Sequence, residues 1–174
     1  MRSTLLLVLF FLITVSAASA QKIDTTKRPP AAKVEEAKKI ATTIFDDLKH
    51  KRHDKVADFM VESLGKSWDS STRIKNKNDY RGKMEIISVS PPSGVYGALG
   101  GYDLIEEAYL PGSDRYFRHT YITYHEGSKL VWELRFYINT KQELTLDYIG
   151  WSEKNPFEYL STSDMLVPRY FNNY

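Results

Sequence analysis

The chain of 174 residues has no cysteine. That excludes disulfides, thiolate metal sites, a cysteine nucleophile and a lipidated N-terminal cysteine, so the apolar core alone must hold the fold. An excess of either charge is also missing: 24 Lys and Arg stand against 22 Asp and Glu. Near neutrality removes the electrostatic case for nucleic acid or an anionic membrane surface as main partner. There is no Asn-x-Ser/Thr acceptor, no Gly-x-Ser-x-Gly elbow, no internal repeat and no low-complexity segment. Four glycines crowd between Pro91 and Gly101, but no Lys-Ser/Thr and no helix follow them, so the stretch reads as a loop beside a sheet and not as a phosphate cradle.

Long apolar runs are scarce too. The longest, Leu5–Val15, is too short to span a bilayer comfortably. With Arg2 ahead of it and Ala18-Ser19-Ala20 behind, residues 1–20 read as a signal peptide. The expected mature chain starts at Gln21, inserts stably in no membrane and is secreted or periplasmic. Its lead-in, 21–30, is polar and flexible; residues 31–152 form one α+β domain; and 153–174 is an aromatic tail with Phe157, Tyr159, Tyr170, Phe171 and Tyr174.

What the sequence does contain is concentrated between Arg115 and Trp151. Leu130, Trp132, Leu134, Phe136 and Ile138 alternate with Val131, Glu133, Arg135, Tyr137 and Asn139, the pattern of a strand with one buried face. Glu126-Gly127 marks a tight turn before it. Pairing His125 with Ser128 sets Tyr121 against Trp132, His119 against Leu134 and Phe117 against Phe136; a slip by one residue would bury Arg118 beside Phe136. After Ile138, an odd number of loop residues is needed for Leu144 and Leu146 to share the buried face. Extending the alternation places Tyr148 and Gly150 there as well. The other face then carries Tyr116, Ile122, Tyr124, Val131, Tyr137, Ile149 and Trp151 among its charges, a patch suited to a homodimer.

Upstream, Val34, Ala37, Ala41, Ile44, Phe45 and Leu48 form one helical stripe. A second helix is expected from an Asp54 cap through Val56, Phe59, Met60 and Leu64 to Gly65. Ser70-Ser71-Thr72 caps one more turn around Ile74. Met84–Val89 and Tyr102–Leu110 read as strands.

Helices followed by a meander, with Leu110-Pro111-Gly112, Tyr116-Phe117, Glu133-Leu134-Arg135-Phe136 and Leu144-Thr145-Leu146-Asp147-Tyr148, resembles the nuclear transport factor two-like (cystatin-like) superfamily, and within it small exported bacterial proteins of unknown function. The resemblance covers residues 31–152. It implies helices packed on a strongly curved, mainly antiparallel, cone-like sheet with a pocket at the wide end, and it admits both enzymes and pure binders.

The isomerases of that superfamily need a carboxylate base in the cone, and the predicted inner face of the meander offers no Asp or Glu. His119, Tyr121, Trp132 and Tyr148 are the expected lining for a small hydrophobic ligand. No metal and no cofactor are expected: His50 and His53 sit among Lys49, Lys51 and Arg52, which repel cations. The reading is an exported non-catalytic domain binding a small hydrophobic ligand or a protein partner. Its alternative is an isomerase or dehydratase-like enzyme using His119 and Tyr121 with Asp46 or Asp47.

Overall fold

The computed structural model describes residues 24–153 together with 155 and 156. The predicted signal peptide lies outside the described residues, as does nearly all of the tail. Helix α1 spans Ala31–Lys49, and its buried residues are Val34, Ala37, Ala41, Ile44, Phe45 and Leu48, the stripe read from the sequence. Helix α2 spans His53–Leu64 and buries Val56, Ala57, Met60 and Val61. It begins one residue before Asp54, which therefore lies in the first turn instead of capping it. Gly65 follows as its C-cap, and the close packing there requires a glycine: a Cβ would meet the Trp68 indole and the Val61 carbonyl, each at 2.5 Å.

Helix α3 spans Ser70–Ser88 and replaces both the single turn and the first strand expected there. Asp69 caps it, accepting from the Thr72 amide at 2.9 Å and from the Ser71 and Thr72 hydroxyls. Most of α3 is polar all round, with Ile74 exposed; only Met84, Ile87 and Ser88 are buried. A short alternating run such as Met84–Val89 fits a strand as well as the last turn of a helix, which is why periodicity misassigned it. Asp69→Ala is expected to speed amide exchange at Thr72 selectively while Asp69→Asn retains protection; equal exchange in all three proteins would show that the cap does not hold the first turn.

The strands are β1 (Leu99–Tyr109), β2 (Tyr116–His125), β3 (Lys129–Ile138) and β4 (Leu144–Ser152), in one antiparallel sheet of order β1-β2-β3-β4. The β2–β3 register is the predicted one, with Phe117, His119 and Tyr121 opposite Phe136, Leu134 and Trp132. The β3–β4 loop has an odd length, 139–143, so Leu144 and Leu146 do lie opposite Ile138 and Phe136. Asn139 shapes it, its Oδ1 accepting from the Lys141 and Glu143 amides at 2.9 Å each, and Gln142 takes the positive φ of 63°.

Two expectations fail here. The sheet is open and uncurled, with β1 and β4 as edges, so the cone and the resemblance to the nuclear transport factor two-like superfamily that implied it do not hold. Four strands of this length are too few to close on themselves, and the helices lie along one face instead of being wrapped. The second failure is Tyr148. A bulge follows the Phe136–Leu146 pair, so Arg135 faces Tyr148 and the alternation flips. The Tyr148 ring lies 4.5 Å from the Arg135 guanidinium on the far face and passes over Gly150, where a Cβ would meet its hydroxyl at 2.4 Å. Ile149 and Trp151 turn inward in its place, and Trp151 packs on Trp132 at 5.2 Å.

The flip changes the membership of the outer-face patch: Ile149 and Trp151 turn to the helix side and Tyr148 takes their place, while Ile122 and Val131 lie on the outer face as expected and are buried. Tyr124 and Tyr137 remain exposed. The core sits between α1–α3 and the inner face, with Phe45 touching Tyr102, Tyr121 and Trp132 at 4.8, 5.2 and 5.5 Å.

Candidate functional site

His119 lies in the middle of β2, wholly buried, with Phe117, Phe136 and Tyr121 at ring distances of 5.4, 5.5 and 6.1 Å. Neither ring nitrogen has a hydrogen-bond partner among the described residues. A buried polar atom left unmet costs about 1–3 kcal/mol, a cost that a hydrogen-bonding group brought to it would remove. Burial drives its pKa down to about 4; Glu107 opposes that shift and Lys38 adds to it. The ring is therefore neutral at pH 7, one nitrogen a donor and the other an acceptor.

Glu107 is the cross-strand partner of His119 on β1. A bulge between Leu104 and Glu106 turns Glu107 inward, so the helix-facing side of the sheet does carry a carboxylate, on the strand whose register the sequence left open. Its Oε1 is 2.7 Å from Lys38 Nζ of α1, and its Oε2 accepts from the Tyr109 hydroxyl at 2.7 Å. Burial favours the acid form of Glu107, but these hydrogen bonds outweigh it and hold the pKa below the usual carboxylate range. The Tyr109 phenol is pushed up to about 12 by burial and by Glu107. Lys38 is raised, first by its bond to Glu107 and then by that to Glu35. Tyr121 is likewise raised, mainly by burial.

The arrangement is a neutral imidazole in an aromatic wall, beneath a half-exposed Lys38–Glu107–Tyr109 rim. Glu107 has both oxygens engaged and makes no bond to the imidazole, so the cluster holds no preformed acid–base pair. Asp47 pairs with Arg52 instead, and the charges that act on His119 come from Glu107, Lys38 and Glu35, not from Asp46 or Asp47.

Trp132, fully buried, forms one wall behind Phe45. Its Nε1 donates to Thr123 Oγ1 at 2.9 Å, Thr123 Oγ1 lies 2.9 Å from His125 Nε2, and His125 Nδ1 lies 3.1 Å from the Gly97 carbonyl. The carbonyl only accepts, so Nδ1 carries the proton, Nε2 accepts from Thr123, and the chain of bonds has one polarity. His125 is thus half-buried and engaged, and burial lowers its pKa. Tyr148, predicted beside these residues, is on the opposite face.

A second His contact escaped the sequence altogether. His53 Nε2 is 2.8 Å from Ser88 Oγ, 35 positions away. Ser88 is buried and donates its one hydroxyl proton to the Met84 carbonyl at 2.6 Å, so it accepts from His53. The pair ties the start of α2 to the end of α3, and its polarity is the reverse of an activated serine. Nothing in the sequence flags it, because it depends on α3 being one long helix. Among the described residues no three His, Asp or Glu side chains are placed to hold a metal ion. Comparison of the chain with protein-family models, with curated proteins and with solved structures finds no match.

Proposed function

We propose that this is an exported binding domain whose helix–sheet interface accepts a small, largely apolar ligand bearing a hydrogen-bonding group, held by His119 and Tyr121 without chemical change. The observation that carries this reading is the imidazole of His119, buried with both nitrogens lacking a hydrogen-bond partner among the described residues. Phe45, Tyr102 and Phe117 supply the apolar surround, and the Lys38–Glu107 pair forms the rim. A pKa near 4 supports holding over proton transfer, since an efficient base at neutral pH has a pKa near 7. Export is supported by the leader pattern of residues 1–20.

The test is a long-range nitrogen–proton spectrum of the labelled protein, recorded against a panel of fatty acids, sterols, indoles and phenols. At least one compound is expected to shift both ring nitrogens of His119, and His119→Phe and Tyr121→Phe are expected to weaken its binding by about tenfold or more, the loss of one hydrogen bond. A panel in which no member moves His119, or binding indifferent to both substitutions, ends the proposal.

A further inference from the structure

The face of the sheet turned away from the helices is covered in a way the described elements do not explain. Ala108, Arg118, Thr120, Ile122, Val131 and Glu133 run across it and are buried, Thr120 and Val131 completely. Ala108, Ile122 and Val131 stand outside the core that α1–α3 build on the other side. The Arg118–Glu106 pair on this face is also almost wholly shielded, with side-chain exposures of 8% and 7%. An open face of a four-stranded sheet in water does not look like this; when the other face packs on the core, this one is solvated.

We propose that this face is the seat of the chain's own C-terminal segment, 153–174. The chain delivers that segment to the right place: Ser152, the last residue of β4, sits opposite Val131, in the row that also holds Ile122 at one end of the covered strip. Asn155 and Pro156 follow, a capping residue and a proline suited to the first turn of a helix, and Pro156 already has helical backbone. Crossing four strands takes ~14 Å, which about ten helical residues span, so 22 residues suffice with length to spare. The chemistry also fits. Phe157, Leu160, Leu166 and Phe171 suit Ile122 and Val131, while tyrosine and asparagine side chains can meet the polar and charged groups between them.

The cysteine-free chain makes the test direct. A single thiol is introduced by Val131→Cys, with exposed Ser128→Cys as control, and native-state labelling is followed in the full chain and in the chain starting at Gln21. The thiol at position 131 is expected to react about 100-fold more slowly than the control in both. Tyr159→Asp with Leu160→Asp, in a protein whose far-ultraviolet circular dichroism is unchanged, is expected to abolish most of that protection. Equal labelling of the two positions overturns the proposal. Protection that disappears without residues 1–20 assigns the seat to the leader, and protection that disappears on dilution assigns it to a second copy; either result also overturns it. Should the aspartates unfold the protein, chymotrypsin on the unaltered chain decides: resistance at Phe157 and Tyr159 relative to a free 153–174 peptide supports the seat, and equal cleavage rates refute it.

Discussion

Acidification from pH 7 to pH 4 is expected to cost the fold about 3 kcal/mol through His119 alone. The folded protein holds this imidazole at a pKa of about 4, whereas the unfolded chain binds the proton at about 6.5. Below pH 6.5 the unfolded state takes up a proton that the folded state refuses, so stability falls as pH drops towards 4 and is fully present above 6.5. The groups facing the ring are Glu107 from β1, Lys38 and Glu35 from α1 and Tyr121 from β2. Of these, Glu107 is itself held below the usual carboxylate range, so the Lys38–Glu107 pair survives through most of the window. His53 and His125 are lowered as well, mainly by burial, and act in the same direction. Urea titrations at pH 7, 5.5 and 4 measure the effect. His119→Leu is expected to flatten most of the dependence and to raise stability at pH 7 by about 1–3 kcal/mol, because it removes an unmet buried polar group from an aromatic surround. Parallel stability curves for the two proteins would mean that the imidazole is satisfied in solution, and the binding proposal would lose its main support.

Trp132→Ala is expected to destabilise the protein by about 3–5 kcal/mol, the range for emptying a large aromatic site in a core. The indole is fully buried between Phe45 of α1 and Trp151 of β4, so its loss loosens the helix from the sheet and the last strand from its neighbour together. Trp132→Phe separates packing from hydrogen bonding. It keeps a ring in the site but takes away the donor to Thr123 Oγ1, and is expected to cost about 1 kcal/mol for the bond plus a smaller packing loss. The imidazole signals of His125 should move in Trp132→Phe, since Thr123 is shared. Thermal or urea unfolding checks the magnitudes, and a Trp132→Ala protein within 1 kcal/mol of the parent would contradict the central place given to this side chain.

Alternation along β3 was legible because each inward residue is large, and its register because a slip would have set Arg118 beside Phe136 in the aromatic core; Arg118 is instead buried on the other face, where Glu106 pairs with it. The stripe of α1 was legible for the analogous reason at helical spacing. Legibility ended where the ladder gains a residue. The bulge beyond Leu146 reverses Tyr148, Ile149 and Trp151, and the bulge at Leu104 and Glu106 brings in Glu107. Strict period two has no signal for either. Helix α3 was hidden differently: with few buried positions in 19 residues, it has almost no stripe to detect. The cone was an inference from element order and turn placement, features that an open meander under three helices shares. The inward placement of His119 and Tyr121 was legible from the sequence, whereas the meeting of Lys38, Glu107 and Tyr109 was not, because it depends on β1 register and on where α1 crosses it.

Every strand of the sheet bonds only to strands adjacent to it in the chain. Pairing can therefore proceed hairpin by hairpin through short loops, with no strand held waiting for a distant partner, a geometry that favours quick assembly over kinetic traps. What must arrive from afar is α1, carrying Phe45, and the slow event in reaching the native state is then expected to be its docking onto a sheet that has already formed.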